Sequence, residues 1–197
     1  MINQSLPGVR LSGIAVGLLF LGSATLTFGD VLPVNGSWEE FLFGAAGSFA
    51  TGCGGGCEAT TNPVADQSLA APWTFSGPAT LTVLDLFLIG DEFNVYDNSV
   101  LLGPTGTVVN SGASPCGNDI GCAKLDAGPT GYSEGIFDLG AGAHSITIQV
   151  FQNAVGASGG AAVLSASAPA VPEPSSVALF GTVLAGVAIA LKRKLVS

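Results

Sequence analysis

Between residues 30 and 165 the chain alternates short apolar runs with clusters of glycine, proline, asparagine and aspartate. That punctuation is the pattern of antiparallel strands joined by tight turns. The strongest run is residues 79–89, Ala-Thr-Leu-Thr-Val-Leu-Asp-Leu-Phe-Leu-Ile, bordered by Pro78 and Gly90. Its alternation is imperfect from Val83 onward, which predicts a strand buried on much of both faces. Gly90-Asp91-Glu92 turns the chain into a strand at 93–96, Asp97-Asn98 turns it again into 100–102, and residues 107–109 read as a further short strand. Residues 31–49 predict an entering strand followed by a short irregular or helical piece. Residues 70–78 predict a strand broken by turn residues, and 51–62 and 110–130 read as loop. Residues 133–139 and 144–152, separated by Gly140-Ala141-Gly142, predict a hairpin, with Ile146, Ile148 and Val150 on one face of its second strand. Residues 161–165 form the last strand. Seven to nine short strands without a soluble helix predict an all-β fold, an antiparallel β-sandwich with jelly-roll connectivity.

The two ends of the sequence follow a different pattern. Residues 1–29 hold one basic side chain, Arg10, then an apolar run from 11 to 21, then the small residues Gly22-Ser23-Ala24. This predicts a signal peptide removed by signal peptidase, the alternative being an N-terminal membrane helix. Residues 166–176 are an Ala/Ser/Pro linker that ends in Pro172-Glu173-Pro174-Ser175-Ser176. The 15 residues from 177 to 191 carry no charge and predict a single transmembrane helix. At roughly 1.5 Å per residue it is short for a hydrocarbon core of ~30 Å. Lys192-Arg193-Lys194 opens a basic tail, 192–197, that stays in the cytoplasm by the positive-inside rule, with everything upstream exported.

Pro-Glu-Pro, a short apolar span and a basic end, in that order over residues 171–194, resemble the PEP-CTERM sorting signal of Gram-negative bacteria. The resemblance implies that a membrane protease-transferase, exosortase, acts near Pro172, Glu173 and Pro174. The inner membrane is then a transient station, and the destination is the cell surface or exopolymer. A plain single-pass anchor on a proline-rich stalk is the alternative. A second stretch, Leu81-x-Val83-x-Asp85, Gly90-Asp91-x-Phe93-x-Val95-Tyr96-Asp97 and Leu102-Gly103-x-Thr105, resembles the β-sandwich ectodomains often attached to such tails.

Charge narrows the possible partners. Between residues 30 and 170 thirteen acidic residues oppose a single basic one, Lys124, for a net charge of −12 with His144 neutral. Nucleic-acid binding needs the opposite sign and is excluded. Four cysteines in an exported domain point to disulfides. Of three connectivities, Cys53–Cys57 and Cys116–Cys122 are preferred because each pair lies in a Gly-rich loop able to fold back on itself. A zinc site using all four is disfavoured by the five residues between Cys116 and Cys122.

Asp85, Asp91, Glu92 and Asp97 are close in sequence, and Asp85, Asp91 and Asp97 are candidate Ca2+ ligands, although no Asp-x-Asp-x-Asp-Gly loop is present. The competing reading makes Asp91 and Asp97 turn residues. Two of these carboxylates could serve a glycosidase only across a cleft, which nothing in the sequence marks. His144, the one histidine, follows a turn, and no Gly-x-Ser-x-Gly elbow surrounds any serine. Trp38, Trp73, Tyr96 and Tyr132 are the aromatics that could stack on sugar rings if exposed, with Trp73 and Tyr96 the ligand-binding candidates.

The sequence therefore predicts an exported, non-catalytic surface or exopolymer protein that needs no cofactor. The alternatives are a carbohydrate-binding module, Ca2+-assisted and directed at surface polysaccharide, and an exported hydrolase.

Overall fold

The computed structural model describes residues 29–169. The expected signal peptide lies outside them except for Gly29, and so do the Pro-Glu-Pro motif, the membrane helix and the basic tail. Among the described residues no helix is long and apolar enough to cross a membrane.

The domain is one curled, predominantly antiparallel sheet. Its strands are β1 (Asn35–Phe43), β2 (Thr51–Gly52), β3 (Asp66–Gln67), β4 (Trp73–Asp85), β5 (Glu92–Asp97), β6 (Val100–Pro104), β7 (Glu134–Gln152) and β8 (Gly160–Ser167), with one short helix, α1 (Ile120–Leu125), between β6 and β7. The order across the sheet is β2-β1-β8-β4-β7-β5-β6, and β3 adds to β1 in parallel. Residues 47–52 then close the curl. The Gly47 and Ala50 amides donate to the Val150 and Ile148 carbonyls of β7, while Thr51 and Gly52 pair with Leu42 and Phe41 of β1.

Two glycine-rich stretches that read as turns are bends inside long strands. Residues 70–78 and 79–89 were expected as separate strands, and 133–152 as a hairpin. Instead β4 runs 13 residues through Ser76-Gly77-Pro78, and β7 runs 19 residues through Gly140-Ala141-Gly142. The reason is register. Gly77 pairs with Gly142, and the ladder shifts between Gly77 and Ala79, so both breaks fall at one level and the two strands bend together. The first half of β7 then pairs with β4 and the second half with β5, Ile146 facing both.

Other expectations differ at the edges. Residues 107–109 form no strand, because Val108 and Val109 bond to the Glu92 carboxylate and the Pro129 carbonyl instead of a ladder. The loop 110–130 holds α1, whose N-cap Asp119 accepts from the Cys122 amide at 2.8 Å. β8 continues two residues beyond Ser165, to Ser167. The turn expected at Asp97-Asn98 is present one residue later: Asp97 ends β5 and pairs with Val100, while Asn98 and Ser99 both have positive φ, 48° and 66°, as a two-residue primed hairpin turn requires.

Alternation sorts the side chains into two cores. Phe41, Trp73, Leu81, Val83, Phe93, Ile146, Ile148 and Leu164 fill the inside of the curl. Leu84 and Val163 point to the outside, where Leu86, Ile89, Ile120 and Tyr132 cover them. Residues 83–85 are thus buried from both sides, as the run at 79–89 predicts. Both predicted disulfides, Cys53–Cys57 and Cys116–Cys122, are present.

Candidate functional sites

The acidic residues singled out by the sequence divide between two places. Asp85 ends β4 and Asp91 precedes β5. Both are buried, and burial, reinforced at Asp85 by the neighbouring Asp91, raises both above the ordinary aspartate range. The Asp91 carboxylate accepts from the Ala154 amide at 2.8 Å. Asp85 makes no hydrogen bond through either oxygen; the nearby amides of Leu86, Asp91 and Gly90 oppose its shift without an aligned bond. Asp97 lies at the other end of β5, six residues from Asp91, a span of about 20 Å in extended chain. One ion cannot bridge that span, so the expected trio Asp85, Asp91 and Asp97 does not converge. Glu92 accepts from the Val108 amide at 2.9 Å.

Asp97 is occupied by His144. Its Oδ2 lies 2.8 Å from His144 Nδ1, its Oδ1 accepts from the Ser145 amide at 3.0 Å, and His144 Nε2 lies 2.9 Å from the Gly140 carbonyl. Two acceptors for two ring nitrogens favour the doubly protonated imidazolium. Desolvation pulls the His144 pKa down, but the hydrogen bonds to Asp97 and Gly140 and the Asp97 charge outweigh it, and the net shift is upward. Both ring nitrogens are engaged and neither meets a serine hydroxyl.

The proposed stacking aromatics are mostly structural. Trp73 has no exposed surface and packs 5.3 Å from Phe41, so it presents no face to a ligand. Tyr132 is equally buried; its hydroxyl accepts from the Cys116 amide and donates to the Phe87 carbonyl. Trp38 packs against the outer core. Tyr96 is only half-buried and lies 6.2 Å from the exposed ring of Phe49, a partner that the sequence pattern did not single out.

Sequence reasoning also missed Glu40. Phe41 and Phe43 point into the inner core, so alternation sends Glu40 to the opposite face of β1, beneath the loop that carries Cys53 and Cys57. Its carboxylate is fully buried, both oxygens are without a hydrogen-bond partner, and one lies within 4.8 Å of both sulfurs. Burial, then the charge of Glu58, pushes its pKa up to about 7. Glu39, on the inner face, also rises to about 7 through burial and then Asp30 and Asp66. The signal was available: two adjacent glutamates in the apolar run Trp38-Glu-Glu-Phe-Leu-Phe cannot both face water from a strand covered on both sides.

The fold and its oxidised cysteines define a disulfide-braced all-β domain. What the chain carries beyond that domain is settled by comparison. A family model for the PEP-CTERM protein-sorting motif matches residues 170–194, so the chain bears a PEP-CTERM sorting signal immediately after the described domain. The motif implies an exported protein, membrane-anchored in transit, processed by an exosortase and directed to the surface. No curated protein and no solved structure matches the chain.

Proposed function

We propose that the domain spanning β1 to β8 is a cargo displayed in the cell-surface or exopolymer layer, with a non-catalytic structural or interaction role. In this reading the curled sheet acts as a two-layered, jelly-roll-like sandwich. The observation that carries it is adjacency. β8 ends at Ser167, and the sorting motif begins at residue 170, so the folded domain is joined to its address by almost no intervening chain. The acidic surface suits a hydrated, ion-rich polymer layer. Intact mass and fractionation in the native host test the reading, with and without Pro172-Glu173-Pro174. A mature product lacking both ends, in the surface or medium fraction, is expected from the wild type and not from the deletion. An uncleaved wild-type chain in the membrane fraction would overturn it.

The exposed Phe49 ring beside Tyr96 favours one second reading, a carbohydrate-binding surface. Calcium has no place in this reading, because Asp85 and Asp91 are buried and lie at the other end of β5 from Tyr96. Retention on immobilised exopolysaccharide, weakened by Phe49→Ala or Tyr96→Ala, would support it. Unchanged retention in both variants would remove it.

A further inference from the structure

We propose that Cys53–Cys57 is a redox-active disulfide that exchanges with external thiols, with Cys57 the sulfur attacked and Glu40 the acid that protonates the departing Cys53. Three features of the site point this way. Cys53 is buried while Cys57 is half-exposed, on a loop of three exposed glycines, two of them with positive φ and open space around them. An incoming thiolate therefore reaches Cys57 first. The chain neighbours of Cys57, Gly56 and Glu58, line a cleft of about 410 Å3 with the apolar residues Leu42, Phe43 and Phe87, room for the body of a thiol reagent.

The second feature is the leaving group. A buried thiolate is poorly stabilised, and Cys53 Sγ also lies 2.9 Å from the main-chain carbonyl of Glu40. No proton sits on that sulfur in the disulfide. Once the bond breaks, the carbonyl oxygen repels a thiolate and accepts from a thiol. Cys53 must leave protonated, and exchange is limited by the leaving thiol.

The third feature is the proton source. Among the described residues the Glu40 carboxyl has no hydrogen-bond partner to explain its burial, although buried polar groups are as a rule hydrogen-bonded. One of its oxygens lies within 4.8 Å of both sulfurs, and its elevated pKa keeps it protonated up to near neutral pH. Among the described residues the charge of Glu58 raises it further. Glu40, Cys53 and Cys57 could also be read as metal ligands, but the oxidised sulfurs offer no thiolate to an ion.

The step balances without further reagents. An external thiolate attacks Cys57 Sγ and the Cys53–Cys57 bond breaks. Cys53 takes the bond electrons and the Glu40 proton, leaving a thiol and a carboxylate. A second external thiolate then attacks the partner's sulfur in the mixed disulfide. It releases the partner as an oxidised disulfide, and the Cys57 thiolate takes a proton from water. Two electrons pass from two thiols to one disulfide.

The test uses the full-length chain in detergent, reduced with dithiothreitol from pH 6 to 8.5, quenched in acid and alkylated. Peptide mass mapping reads each disulfide separately. Per unit of dithiothreitol thiolate, Cys53–Cys57 should reduce at least about tenfold faster than Cys116–Cys122. Its rate should fall about tenfold as Glu40 ionises, while the rate for Cys116–Cys122 stays flat. Glu40→Gln should abolish that fall and match the high-pH rate throughout. Glu58→Gln should move the fall to lower pH. Glutathione trapped in the mixed disulfide should sit on Cys57. Equal, pH-independent rates for the two wild-type disulfides would overturn the proposal even if Glu40→Gln fails to fold, as would glutathione on Cys53.

Discussion

His144 and Asp97 form a hydrogen-bonded pair, Nδ1 to Oδ2 at 2.8 Å, that ties the turn end of β5 to the middle of β7. The same histidine reaches the Gly140 carbonyl, so it also clasps the bend in its own strand. Its folded pKa is raised above the ordinary 6.5, so its stabilising contribution is complete below that value and is lost as pH rises through the folded pKa. Asp97→Asn should cost about 2–4 kcal/mol at pH 6 and clearly less at pH 9, read by urea denaturation at the two pH values. An equal cost at both would show that the histidine does not titrate between them.

The buried carboxyls push in the same direction. Glu39 and Glu40 rise to about 7 from 4.5, and Asp85 and Asp91 also rise, so the folded state holds protons that the unfolded chain releases. Stability should therefore decline between pH 4.5 and 7 and beyond, with Tm lower at pH 8 than at pH 5 by roughly 5–10 °C. Asp85→Asn keeps the shape and removes the titration, so it should flatten this decline and stabilise the domain at pH 8. Scanning calorimetry across the range checks both; a Tm that climbs from pH 5 to pH 8 would contradict the assignment of these groups as buried acids.

The second disulfide clips the loop carrying α1. Closing so short a loop is worth about 2 kcal/mol, the expected loss for Cys116→Ser with Cys122→Ser. Tyr132→Phe removes the hydroxyl bonded to the Cys116 amide and should cost about 1 kcal/mol. The two changes act on one loop, so their combined cost should fall short of the sum, which a double-mutant cycle in urea measures.

At the shared bend, a side chain on Gly77 would meet the Gly140 carbonyl and stand 2.6 Å from His144 Nε2, two groups already bonded to each other. Gly77→Ala should cost roughly 2–4 kcal/mol. Gly140→Ala, where a Cβ meets nothing within 4 Å, should be milder. Comparable losses in thermal melts would mean that the bend is not crowded at Gly77.

These particulars show what the chain discloses before it folds. Strand content and the doubly buried stretch near Val83 follow from apolar alternation, a local property. The disulfide pairs follow from short spacing and flexible glycines. The fusion of 133–139 and 144–152 into one strand does not, because whether Gly140 and Gly142 turn or bend depends on the glycine facing them across the ladder, sixty-odd residues earlier. For the same reason Asp85, Asp91 and Asp97 look clustered in sequence, while an extended strand separates the last from the first two. Trp73 looked available because burial of an aromatic is decided by which face its strand turns inward. Glu40 stayed hidden because its partners, Cys53 and Cys57, arrive from a loop that local patterning cannot dock.

Asn35, where β1 begins, pairs with Ser167, where β8 ends. The entrance and the exit of the domain are therefore neighbours in space, and whatever tethers the chain at its last strand also fixes the place where its first one starts. β8 runs back from that point for eight residues, about 23 Å, to Gly160. A domain anchored or grafted through its C-terminus is consequently held like a pendant by one clasp, its loops at residues 44–47, 86–91 and 153–159 carried on the side away from the attachment. In a domain so held, the far end of the curled sheet meets the surroundings first, and the seam between first and last strands stays at the attachment.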